Sequence, residues 1–201
     1  MPRSHVTPIK QPDEDSCGPA ALKMALTMLG KRASVAKLIE LCQTNRNGTT
    51  TNNMIRAIKK LGLPALIVEK TTLTHLLSAI HTKQGQKRAV LVSYLYALDD
   101  DNTPNPNSGH WAVVSSFRPS TSRIVLLDSY TGKKTSYPWM EFRRRWIDET
   151  IKHRKMGTRG NKFRLVRKQE KQLMIVVSTQ TKDLPEFQMS SVRQIALGRS
   201  N

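Results

Sequence analysis

Cysteine is scarce in this chain: two residues, Cys17 and Cys42, among 201. Two thiols cannot build a disulfide framework. The N-terminus, Met1 to Pro8, lacks the apolar core of a secretory signal. The longest apolar runs, such as Ala89 to Leu98, fall far short of a membrane span. Paired metal-ligand spacing is absent, the five histidines being scattered from His5 to His153. A phosphate-cradling glycine loop and internal repeats are missing too. No cofactor and no metal are expected, and the expected setting is the cytoplasm. Acidic side chains are few, 15 against 33 Lys and Arg, which leaves a net charge of +18.

What is present narrows the class. Apolar residues make up 38 % of the chain and recur in regular runs, which excludes a wholly disordered basic protein. The length suits one domain with a proper core. Residues 1–140 carry +9 and residues 141–201 carry the same +9 in less than half the length. The densest stretch runs from Arg143, Arg144 and Arg145 through Lys152, Arg154, Lys155, Arg159, Lys162, Arg164, Arg167 and Lys168 to Lys171. Such a stripe attracts phosphates, membrane surfaces or acidic polypeptides. An anionic partner, nucleic acid or acidic protein, is therefore expected at residues 143–171, against the plainer reading of a solvated face.

Along the chain, residues 1–15 read as an extended lead-in with prolines at 2, 8 and 12. Leu22, Ala25, Leu26 and Leu29 recur at helical spacing after Ser16, and Gly30 is a natural stop. Ser34 caps a second helix with Val35, Leu38, Ile39 and Cys42 on one face. Met54, Ile55, Ile58 and Leu61 make a third, ending at Gly62. The period then changes. Strands are expected at Ala65–Val68, Ala89–Tyr96, His110–Phe117, Arg123–Asp128 and Leu173–Ser178, with small helices at Leu73–Ile80 and around Trp139 to Trp146. Asp99 to Gly109 is an acidic, proline-broken loop that could border a cleft, and Gly157 to Gly160 is a basic break. Helices first and strands returning on themselves give an α+β layout.

One constellation has chemistry in it. Cys17 opens the first helix, beside unpaired backbone N–H groups and the positive end of the helix dipole, an environment that favours thiolate. Ser16 is placed to cap that helix. Gly18 is expected to leave room for a substrate, and Pro19 is tolerated in a first turn. A thiolate nucleophile needs a proton acceptor, and the acceptor needs orienting. His110 starts one strand and Asp128 ends the next, so a hairpin between them brings both to one sheet edge. Gln11 could donate its amide to an oxyanion, beside the backbone N–H of Cys17.

These residues carry a resemblance. Gln11 followed by Ser16-Cys17-Gly18-Pro19, then Gly48-Thr49 and Met54, then Gly109-His110-Trp111, then Leu127-Asp128, resembles the bacteriocin-processing, double-glycine leader peptidases and their stand-alone relatives. The resemblance covers roughly residues 8–150. It implies a papain-like α+β fold, N-terminal helices on an antiparallel sheet. The domain is expected over 1–180, its basic part from about 143 having no counterpart in the family, and residues 181–201, which show no periodic pattern, are expected to be a loose tail. It further implies Cys17 as nucleophile, His110 as general base and then acid, Asp128 as orienter and Gln11 as oxyanion donor. Ser129 stands where many of those relatives carry proline.

Three readings follow. The first is a cysteine peptidase that forms an acyl-enzyme on Cys17 and takes a peptide or protein substrate. The second keeps the site but passes the acyl group to an amine or thiol, in the manner of phytochelatin synthases. The third is a basic nucleic-acid-binding protein on a peptidase scaffold, with Trp139, Phe142, Trp146 and Phe163 as stacking groups.

Overall fold

The computed structural model describes residues 6–155, 163–187 and 192–195. Helical spacing in the first third becomes three helices: α1 (Cys17–Met28), α2 (Val35–Cys42) and α3 (Thr51–Lys60). Ser34 starts α2 as expected, its hydroxyl accepting from the Lys37 N–H at 3.2 Å. Thr50 does the same for α3, accepting from Asn53 N–H at 3.3 Å. Ser16 departs from expectation. It holds the N-cap position of α1, yet its hydroxyl makes no cap and donates to Asp13 Oδ1 at 2.6 Å. A carboxylate acceptor three residues back outcompetes the neutral cap bond.

After α3 come β1 (Ala65–Val68), α4 (Leu73–Ile80), β2 (Arg88–Leu95), β3 (Gly109–Arg118), β4 (Arg123–Asp128), β5 (Lys133–Pro138) and α5 (Trp139–Arg145). They are followed by β6 (Ile147–Lys155), β7 (Phe163–Lys171), β8 (Met174–Ser178) and β9 (Val192–Ile195). Seven strands form one sheet in the order β5-β4-β3-β2-β8-β1-β9, every neighbouring pair antiparallel. The expected α+β class and its helices-on-sheet arrangement hold.

Strand β2 shows why its apolar run is continuous. Ala89 and Leu91 enter the core shared with α1, α2 and α3, while Val90, Val92 and Tyr94 enter a second core with Leu76 of α4 and Phe142 of α5. A strand covered on both faces has no side that must stay polar. The same applies to β8, which lies between β2 and β1 in the middle of the sheet.

Among the described residues past Gln180, two segments differ from the expectation of a loose tail over 181–201. Thr181–Asp183 form a 3-10 turn, Leu184 is buried, and β9 pairs with β1 from Ala65↔Ile195 to Val68↔Val192. An unpartnered edge of β1 would expose a row of N–H and C=O groups, and β9 covers it. Four residues are too few for a periodic pattern to announce them. One member of the basic stripe turns inward. Arg145 is buried, donating from Nη1 to the Tyr96 carbonyl at 2.8 Å and from Nη2 to Glu141 at 2.6 Å, with its guanidinium over the Tyr137 ring. It is an interior strut and not part of a solvent-facing stripe. β6 and β7 pair only with each other as a two-stranded ribbon, and Arg154 lies opposite Arg164. The break at Gly157 to Gly160 lies outside the described residues.

Among the described residues, no helix is long and apolar enough to cross a membrane.

Candidate active site

Antiparallel pairing of β3 with β4 sets the start of one strand beside the end of the other. His110 and Asp128 therefore meet at one edge of the sheet, both buried, with His110 Nε2 2.9 Å from Asp128 Oδ1. The carboxylate is fixed on both oxygens. Oδ1 also accepts from the Tyr130 N–H at 2.9 Å, and Oδ2 accepts from the Thr135 and Thr131 hydroxyls at 2.9 and 3.2 Å. With Nε2 committed to Asp128, Nδ1 is the ring nitrogen left for a second partner. Cys17, buried at the first residue of α1, lies near enough to the imidazole to help raise its pKa.

The electrostatics follow from this packing. Burial works against a charged imidazole, but the bond to Asp128, then the Cys17 hydrogen bond and charge, outweigh it and raise His110 from 6.5 to about 9. Burial would raise Asp128 as well, yet the hydrogen bond and charge of His110 hold it below the usual carboxylate range. Cys42 is pushed up to about 12, by burial first and the Cys17 charge second, so it remains a protonated core thiol. The His110 ring is walled by aromatic edges, Tyr94 at 5.8 Å and Tyr96 at 5.6 Å between centroids.

Gln11 joins the same cluster from the lead-in segment. Its N–H donates to the Ser129 carbonyl at 2.8 Å, and its Oε1 accepts from the Ser129 hydroxyl at 3.0 Å. Its Nε2 donates to the carbonyls of Asp13 at 2.8 Å and Glu14 at 3.2 Å. The residue thus ties the Asp128 turn to the loop leading into Cys17. Ser129, one step past Asp128, supplies both halves of that tie. The acidic loop at 99–101 satisfies much of its own charge: Asp99 accepts from Asn105 at 2.6 Å and Asp101 from the Thr103 hydroxyl at 2.7 Å.

The reading of Gly18 as room for a substrate is corrected. A Cβ built on Gly18 would lie 2.5 Å from Thr49 Oγ1 and 2.6 Å from Thr49 Cβ. The space belongs to Thr49, and glycine is required because another segment of the chain fills it. Gly18→Ala is expected to force α1 away from Thr49 and cost roughly 1–3 kcal/mol as overpacking, with a matching drop in melting temperature. Unchanged melting would show that Thr49 moves freely. Thr49, Trp111, Ser129, Thr131 and Thr135 were not singled out as functional by sequence. Each owes its role to a tertiary contact; Thr49 and Trp111 stood in the segments that carry the resemblance and Ser129 beside one of them, but no role was assigned to any of them.

The Peptidase_C39 like family matches residues 3–151. The chain belongs to that family. A transport/processing ATP-binding protein for mesentericin Y105 from Leuconostoc mesenteroides is 32 % identical over 108 residues, covering 47 % of this chain and 15 % of the relative. An uncharacterised protein of Methanothermobacter marburgensis is 42 % identical over 57 residues, 28 % of this chain and 40 % of its own length. The chain thus spans well under half the length of these relatives. The peptidase domain of Streptococcus ComA, a bifunctional ABC transporter involved in quorum sensing, superposes with a TM-score of 0.60 at 21 % identity, covering 88 % of this chain and 100 % of that domain. A double-glycine-motif protease from an AMS/PCAT transporter, solved with its leader peptide, gives 0.56 at 17 % identity over 89 % of this chain and 94 % of that one. At these identities the two structures establish a shared fold.

Proposed function

We propose that this member of the family is a cysteine peptidase that cleaves a peptide bond through an acyl-enzyme on Cys17. The observation that carries the reading is the buried His110–Asp128 pair at 2.9 Å, with Cys17 near enough to the same imidazole to help raise its pKa. An imidazolium held by a carboxylate on one side favours thiolate on the other. The thiolate attacks the peptide carbonyl, forming the carbon–sulfur bond. His110 gives its proton to the departing amine, water enters as His110 takes its proton back, and the acid product leaves. The backbone N–H of Cys17 and the Gln11 amide stabilise the oxyanion, Gln11 exchanging its longer 3.2 Å bond to Glu14 for that charge.

The substrate class follows the structural neighbours in kind: one is a double-glycine-motif protease solved in complex with its leader peptide. A peptide is the substrate proposed here. The test incubates the chain with a mixed peptide pool in isotopically heavy water, with and without an added amine or thiol acceptor. New carboxyl termini carrying the heavy oxygen support hydrolysis. Products joined to the acceptor, with no hydrolysis, would overturn it in favour of acyl transfer.

The pH dependence has a definite sign. The reactive form needs the proton on His110, which is retained until about pH 9. Accordingly kcat/KM is expected to hold on the alkaline side and fall above about pH 9. The same proton contributes stability that is fully present below 6.5 and lost as pH rises through about 9, so melting temperature should decline across that window. An alkaline limb at the ordinary histidine value would remove the Asp128–His110–Cys17 coupling from the account.

A further inference from the structure

We propose that Trp111 and Thr49 form a strut that sets the separation of Cys17 and His110; the inference rests on the catalytic reading above and adds two positioning residues to it. Cys17 and His110 belong to different elements, α1 and β3, and reacting groups must be held within about half an ångström of the productive geometry. Trp111 follows His110, and alternation along β3 sends its side chain to the α1 face of the sheet, where it is 2 % exposed. There its indole N–H donates to the Thr49 carbonyl at 2.7 Å. The Thr49 side chain presses on Gly18, the residue after Cys17, as closely as the glycine allows. The path from base to nucleophile is therefore His110, Trp111, Thr49, Gly18, Cys17, with one buried hydrogen bond and one van der Waals contact between elements.

The middle of that path is itself braced. Asn45 and Gly48 exchange backbone hydrogen bonds of 3.3 and 2.7 Å, closing a tight turn in which Gly48 takes φ +73. The Thr49 hydroxyl bonds to that of Thr44 at 2.8 Å. On the far side, Thr50 caps α3 and the Thr51 hydroxyl donates to the buried carboxylate of Glu170. A loop fastened at both ends transmits position, because a packed interior does not deform smoothly.

The test compares Trp111→Phe, which keeps an aromatic ring and removes the N–H, with the unaltered chain. Expected is a fall in kcat of about 10- to 100-fold, the scale of a displacement near 1 Å, with KM within about two-fold. The rate at which iodoacetamide alkylates Cys17 should fall in parallel, and its pH profile should lose the limb near 9. Should that variant fold poorly, the pair Gly18→Ala and Gly18→Ala with Thr49→Gly decides the matter. The single change should depress Cys17 alkylation, and the second should restore part of it by vacating the clash. Undiminished kcat and alkylation in Trp111→Phe, or no recovery in the double variant, would overturn the strut. A parent chain that shows neither peptide cleavage nor a histidine-coupled Cys17 profile would instead end the catalytic reading itself.

Discussion

Replacing Cys17 by alanine is expected to remove peptide cleavage altogether, a loss on the order of 10⁶-fold in kcat, as when a nucleophile is deleted from a covalent mechanism. The fold should survive. Cys17 lies at the first residue of α1, and one sulfur lost there removes a small apolar contact at the rim of the core. Substrate binding should also survive, so the variant should still retain a peptide. Cys42→Ala supplies the contrast. That thiol is fully buried and held protonated, with its pKa at about 12, so its removal should cost stability, measured by denaturant unfolding, and leave kcat within about two-fold. Activity retained in Cys17→Ala and lost in Cys42→Ala would reverse the assignment.

The second large effect falls on Asp128. Its carboxylate touches no substrate in the proposed mechanism, yet it fixes the His110 tautomer and supports the imidazolium. Asp128→Ala removes acceptor and charge together. A loss of roughly 10³- to 10⁴-fold in kcat is expected, the scale seen when the third member of a triad is disabled. The alkaline limb should move down from about 9 towards 6.5, since the bond to Asp128 is the leading cause of the raised His110 value. Asp128→Asn keeps an acceptor oxygen and loses the charge, so it should fall between the parent and alanine in rate while still shifting the limb. The Thr131 and Thr135 hydroxyls would lose a charged acceptor in either variant, and some loss of stability should accompany the kinetics. A parent-like pH profile in Asp128→Ala would show that the carboxylate does not act through His110.

Much of this architecture could be read from the chain, for reasons specific to each element. The helices α1 to α3 were legible because their apolar residues repeat at helical spacing above one core. Strands β2 and β8 were legible because both faces are covered and the runs are unbroken. By contrast, β5 is an edge strand of half-exposed polar residues from Lys133 to Pro138, and nothing in its pattern distinguishes it from a loop. β6 and β7 read in sequence as a run of charge, and their antiparallel pairing into a ribbon was not legible in it.

The site divides in the same way. Cys17, His110 and Asp128 stand at element ends, where pairing rules alone predict that a strand start and a strand end meet. What lies around them depends on long-range contacts. Thr49 reaches Gly18 and Trp111 from a loop between two helices, and Ser129 reaches Gln11 across 118 positions of sequence. Local patterns encode neither. Gly18 illustrates the difference: its small size was evident from sequence, but the group occupying the space beside it could only be found by packing.

If Cys17 is a nucleophile coupled to His110 and Asp128, its alkylation must depend on both. The native chain is alkylated with iodoacetamide across a pH series and the adduct located by mass spectrometry after digestion. Modification is expected at Cys17, ahead of Cys42, with a rate profile that carries a limb near pH 9 and loses it in Asp128→Ala. Modification of Cys42 ahead of Cys17, or a Cys17 profile indifferent to Asp128, would contradict it.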